Sequence, residues 1–180
     1  MQRDSRMPIQ KESRMRGPDR WWTAVAAIAA GVNAGVFFDF SFVVMPAVRE
    51  LPAAQGIAAM RALNGTAVTP PLMLLMYGTA TLCVVLIVRA AMRWRNGSAP
   101  WILAAAFAFL LAAVVITFAG NVPISASIDA LDPSTAGASA RWDDLYTQWV
   151  WLNHARILTS IAAAVGFALA LRPRAGAPRR

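Results

Sequence analysis

Cysteine occurs once in the 180 residues, as Cys83, and histidine once, as His154. A single thiol excludes an intrachain disulfide and a cysteine-based metal cage. A single imidazole excludes haem held by two histidines and the paired-histidine zinc motifs within one chain. Acids are also sparse, with nine Asp and Glu against seventeen Lys and Arg, for a net charge of +8. The chain contains no Cys-x-x-Cys, glycine-rich phosphate loop or nucleophile elbow, and shows no clear internal repeat of the kind that marks many transporters. Neither a metal nor a cofactor is expected.

Apolar residues are abundant: 58% of the chain is hydrophobic and mean hydropathy is +0.49, well above an ordinary soluble domain of this length. The expected solvent is a bilayer, and membrane lipid the expected surroundings. The positive charge then reads as membrane topology, since the basic residues alternate with long uncharged runs and no groove-reading motif accompanies them. Nucleic acid is not an expected partner.

In chain order, residues 1–20 form a basic arm with prolines at 8 and 18 and almost no apolar periodicity. A first membrane helix is expected over 21–44, with Trp21-Trp22 at headgroup level and Pro46 ending it. Gly31, Gly35 and Asp39 recur on one face, which suits close approach of a neighbouring helix. Residues 52–63 read as a short amphipathic helix in the first long connection, with Ile57, Met60 and Leu63 on its apolar side and Asn64-Gly65 as its stop. The second span covers 71–88, opened by Thr69 before Pro70-Pro71. Arg89, Arg93 and Arg95 follow, and Asn96-Gly97-Ser98 makes the turn into a third span over 101–119, closed by Gly120-Asn121-Val122-Pro123. A fourth helix begins near Arg141, well before the hydrocarbon, and crosses over 153–171. Residues 172–180 form a basic tail. Fold class is thus all-α: an integral membrane four-helix bundle with one amphipathic helix in the first outer connection.

Thirteen of the basic residues lie in the arm, the short turn and the tail, against four in the two long connections and the fourth helix. By the positive-inside rule this places both termini in the cytoplasm, for a multi-pass protein of the cell membrane. Asp39, Asn121 and the run from Trp149 to Arg156 then gather at the outer end of the bundle.

That run, Trp149-Val-Trp-Leu-Asn153-His154-Ala-Arg156, is the richest in chemistry. On a helix, Trp142, Tyr146, Trp149, Asn153, Arg156 and Ser160 share one stripe, with His154 about 100° round from Asn153. Arg156 either snorkels to the interface or meets a carboxylate, and Asp39 is the nearest by depth, with Asp143 and Asp144 as alternatives. Asp39 is a functional candidate for the same reason, unless it lies close enough to the interface to be hydrated. Imidazole titrates near neutral pH, so His154 can serve as a base. Asn121 either caps a helix end or orients a ligand carbonyl or hydroxyl.

Four spans, Pro46 after the first, Asn121-Val-Pro123 after the third and Trp149-x3-Asn153-His154-x-Arg156 at the fourth resemble the anthrone oxygenase family of small membrane proteins, over roughly Ala24 to Leu171. The resemblance implies a cofactor-free oxygenase that converts an anthrone to an anthraquinone in some members, with no known task in most others. Matching positions are Pro46, Asn121, Pro123, Trp149, Asn153 and Arg156. Ser125 departs from the pattern, standing where the family often has a second asparagine. Such chemistry needs a base, donors for an enolate oxygen and a dry pocket. His154 or Asp39 would be catalytic, Asn121, Asn153 and Arg156 would bind substrate, and Trp149 would stack on a flat aromatic small molecule. The alternative is a non-enzymatic membrane protein that binds a lipid or hydrophobic small molecule, or scaffolds a partner.

Overall fold

The computed structural model describes residues 17–94 and 97–173. Residues 1–16, 95–96 and 174–180, which hold most of the expected basic arm and tail and part of the expected turn, lie outside the described residues. The described chain is helical, and four of its helices are long and apolar enough to cross a membrane: Asp19–Arg49, Pro70–Met92, Ala99–Asp129 and Ala138–Ala170. The chain is a four-helix membrane bundle.

The first long helix is composite. Helix α1 (Gly17–Asp39) passes into a π-helical turn over Phe40–Val44 and then into α2 (Met45–Arg49). The third has the same plan, with α5 (Ala99–Leu110), a longer π-helical stretch over Leu111–Asn121 and α6 (Val122–Asp129). Between them lie α3 (Ala53–Ala67) and α4 (Pro70–Met92), and α7 (Ala138–Ala170) completes the bundle. Helix α7 packs between α1 and α5, and α4 closes the ring between α5 and α1.

Neither Pro46 nor Pro123 ends its helix, contrary to the sequence reading. Proline inside an α-helix lacks one hydrogen bond and presses its ring on the carbonyl four residues back. A π-turn immediately precedes each proline here. Met45 N–H bonds to the Phe40 carbonyl and Val122 N–H to the Thr117 carbonyl, both five residues back. That wider turn carries the backbone past the ring, and the helix continues. Asn64-Gly65 likewise fails to stop α3, which runs on to Ala67 while Asn64 Nδ2 donates to Asp129 Oδ1 at 3.0 Å.

The core divides into two clusters with different physics. One lies among α1, α4, α5 and α7 and is rich in alanine, including Ala26, Ala30, Ala105, Ala106 and Ala163 around Cys83, Phe109 and Phe167. Lipid is as apolar as these side chains, so they gain little by leaving it, and close packing holds the helices together instead. Gly166 shows how close: a Cβ there would stand 2.9 Å from the Ala105 Cβ. The second cluster gathers Met45, Val48, Ile57, Met60, Ile128, Trp142, Leu145 and Trp149 from α2, α3, α6 and the start of α7.

Hydrocarbon takes about 20 helical residues. Counted from Trp22, from Trp101 and back from Leu171, that length ends near Phe42, Asn121 and Trp151, and α4 begins at the matching level with Pro70. The second cluster sits beyond this plane. There, burial from water stabilises by about 1.5–3 kcal/mol for each large side chain, before entropy is charged against it. By this count the second cluster forms a cap on one end of the bundle, held by the ordinary hydrophobic effect. Arg49 Nη1 meets Asp143 Oδ1 at 2.5 Å across it, and Arg61 Nη2 donates to the Leu131 carbonyl at 2.7 Å. The loop into α7 is ordered by Asp132, whose Oδ1 accepts from Ser134 N–H at 2.9 Å and Ser134 Oγ at 2.7 Å. Those two bonds hold its carboxyl below its ordinary value. Gly137, at φ 84°, supplies the left-handed turn before α7.

Candidate functional site

The polar residues singled out on α7 point inward at the base of the cap. Asn153 is fully buried and Arg156 is 8% exposed. Asn153 reaches across to α1: its Nδ2 donates to the Phe37 carbonyl at 2.7 Å and to Ser41 Oγ at 2.8 Å. Its Oδ1 accepts from Arg156 Nη1 at 3.2 Å. Every polar group of the Asn153 side chain is therefore engaged within the protein. Ser41 lies in the π-turn, whose extra residue per turn sets it opposite Asn153.

Arg156 does not pair with Asp39, the partner expected from depth. Asp39 is exposed on the outer face of α1, whereas the buried face carries Asn33, Phe37 and Ser41. A single residue turns a helix by 100°, so equal depth does not bring two side chains together. Instead the guanidinium lies over the Phe37 ring, 3.8 Å from its centroid. Its Nε is buried with no hydrogen-bond partner, and no carboxylate among the described residues forms an ion pair with it.

Asn121 closes the seam from the third helix. It ends the second π-stretch and donates from Nδ2 to the Trp149 carbonyl at 3.2 Å, while its own Oδ1 is buried and unpartnered. Trp149 is buried in the cap cluster with Phe40 at a centroid distance of 6.3 Å. His154 lies on the flank of the seam, stacked on Phe42 at 5.1 Å and edge-on to Trp151 at 5.6 Å. Its Nε2 is buried and unpartnered. The structure thus brings Asn153 and Arg156 into direct contact, ties Asn121 to the Trp149 backbone, sets His154 one helical face away, and leaves Asp39 outside.

Residues that sequence reasoning passed over complete the seam. Phe37 and Ser41 receive Asn153; deeper in the bundle Ser160, already on the stripe read from the sequence, has its Oγ buried without a partner. Asn33 Nδ2 bonds the Ala29 carbonyl at 2.9 Å and Thr79 Oγ1 at 3.3 Å, its Oδ1 remaining free. Asn33, Phe37 and Ser41 recur at four-residue spacing, a stripe overshadowed by the more conspicuous Gly31, Gly35 and Asp39. Among the described residues no group of three or more His, Cys, Asp and Glu converges to hold a metal.

A four-span bundle whose described residues include a buried guanidinium paired with no carboxylate, and buried oxygens of Asn33, Asn121 and Ser160 left without partners, defines a small helical membrane protein with an internal polar site. A family model described as anthrone oxygenase matches residues 72–166, more than half of the chain, and the protein belongs to that family. The match runs from α4 into α7 and takes in Asn121, Trp149, Asn153, His154 and Arg156; α1 with Phe37, and the π-turn with Ser41, lie outside it. No curated protein and no solved structure matches the chain.

Proposed function

We propose that the protein carries out cofactor-independent oxygenation of a phenolic or polycyclic aromatic substrate of the anthrone type, at the seam between α1, α7 and the third helix. One observation carries this reading: Arg156 is buried beside Asn153 and Phe37 with no anion among the described residues to match it. An uncompensated cation in a low-dielectric site is destabilising. An enolate or phenolate oxygen would supply the missing charge, and would do so most strongly when the negative charge develops.

His154 is the preferred base in this scheme, because its free Nε2 can accept a proton, whereas Asp39 on the outer face would serve only as a hydrated proton acceptor at the rim. The base takes a proton from the carbon between the aromatic rings, leaving an enolate whose oxygen faces Arg156. The carbanion electron pair then reduces dioxygen as the carbon–oxygen bond forms, the protonated base returns its proton to the peroxide oxygen, and the resulting hydroperoxide loses water to leave the second carbonyl. Asn121 Oδ1 accepts a hydrogen bond from a phenol hydroxyl of the substrate. Asn153, its groups already engaged, positions Arg156, and Trp149 walls the site. Entry from the bilayer suits a flat apolar substrate, since the exposed rings of Phe42 and Trp151 flank His154 on the lipid side. The asymmetry of basic residues further supports cytoplasmic termini in the cell membrane, with the cap outside.

Oxygen consumption with an anthrone, measured on purified detergent-solubilised protein, tests the proposal. Uptake above a mock preparation is expected, falling about 10²-fold or more in His154→Ala. Arg156→Gln should lose activity while remaining folded. Aromatic binding without oxygen uptake would instead assign a non-enzymatic binder of hydrophobic small molecules, and unfolding of Arg156→Gln would assign that residue to structure.

A further inference from the structure

At the opposite end of the bundle, α1, α4 and the start of α5 border a small pocket open to the surface, lined by Asp19, Thr23, Arg89, Arg93, Ser98 and Ile102. Asp19 Oδ1 accepts from Arg89 through Nε at 2.8 Å and through Nη2, and Asp19 Oδ2 accepts from Arg93 Nη1. Two guanidiniums thus converge on one carboxylate. A helix-to-helix ion pair needs one cation; the second gives the pocket a net positive charge. Arg89 Nη1 and Arg93 Nε and Nη2 take no part in these bonds, and the two side chains remain 40% and 36% exposed while the Asp19 side chain is only 12% exposed. The Ser98 hydroxyl makes no capping bond to α5.

Depth identifies the occupant. Trp21, Trp22, Trp94 and Trp101 are all exposed around this end, as tryptophans are at the level of lipid headgroups. We propose that the pocket binds the phosphate of an anionic phospholipid at the protein surface, with Arg89, Arg93 and the Ser98 hydroxyl as donors. A phosphodiester carries a single negative charge, matching the surplus, and the bilayer brings it to this level. Asp19 both orients the two arginines and competes with the ligand for them.

Binding to purified protein in detergent micelles, by native mass spectrometry and by thermal shift, provides the test, with phosphatidylglycerol, phosphatidylcholine and inorganic phosphate as probes. The expected result is retention of phosphatidylglycerol and a raised unfolding temperature, with neither effect from the other two. Arg93→Gln should weaken retention about tenfold, the scale of one charge-assisted hydrogen bond. Asp19→Asn should retain phosphatidylglycerol at least as well as the unaltered protein, because a competing carboxylate is gone; a purely structural cluster would show no lipid effect in either variant. Equal binding of phosphatidylcholine, or phosphatidylglycerol retention unchanged in Arg93→Gln, would overturn the proposal. Equal stabilisation by inorganic phosphate would overturn the lipid assignment. Should Arg93→Gln fail to fold, Ser98→Ala, which touches no ion pair, keeps the test: unchanged retention there counts against the site.

Discussion

Asn153 is the residue on which the seam turns. It satisfies the Phe37 carbonyl and the Ser41 hydroxyl on one helix and Arg156 on another, so its removal strands several buried groups at once. Each stranded group costs about 1–3 kcal/mol. Asn153→Ala is therefore expected to lower the unfolding temperature in detergent more than Arg156→Gln does, the reverse of what the charges alone would suggest; equal or smaller destabilisation would refute the bridging role. Asn153 and Arg156 were legible in the sequence because polarity on an apolar helix is conspicuous. Their partners were not. A backbone carbonyl has no letter of its own, and Ser41 is one hydroxyl among several whose facing depends on a π-turn that no simple periodicity encodes. Asp39 misled for the opposite reason: its charge draws attention, yet it faces outward.

The elements themselves repeat a device. Both composite helices widen into a π-turn just before a proline and then continue, and the widened turns contribute Ser41 and Asn121. The prolines are plain in the sequence and imply helix ends, because a helix of constant pitch cannot accommodate them in its interior. Span number and the long approach of α7 were legible, since uncharged runs and spacing of Trp142, Leu145, Trp149 and Leu152 follow directly from composition. Interhelical contact was not, because Gly166 announces nothing about Ala105. At that contact, Gly166→Val is expected to destabilise by about 1–3 kcal/mol through overpacking, since the obstruction includes backbone atoms of α5 as well as a methyl. Denaturant unfolding in mixed micelles measures it, and a neutral result would mean that α5 and α7 separate without cost.

For the whole molecule, the division into a lipid-packed bundle and a cap held by the hydrophobic effect predicts that the two ends respond differently to solution conditions. The carboxyl of Asp132 is held below its ordinary value of 3.8 by Ser134, so the folded state binds its proton less readily than the unfolded chain. That contribution is fully present above the ordinary value and disappears as pH falls through the lowered one. Asp132→Asn should consequently unfold at a lower temperature than the unaltered protein near neutral pH, with the gap closing below about pH 3.8; a gap that persists in acid would contradict the account. The Arg49–Asp143 pair, with both side chains about half exposed, should add less than about 1 kcal/mol and fade with salt.

Cys83, sealed within α4 at no measurable exposure, has a practical corollary. The native thiol is hidden from membrane-impermeant maleimides, so a cysteine introduced at any exposed loop position reports alone. On intact cells, Ser134→Cys in the cap is expected to label and Arg172→Cys at the other end to label only after permeabilisation. The reverse pattern would invert the proposed orientation. The same silent background suits paired spin labels, which would read the distance between cap and bundle directly as an aromatic ligand arrives.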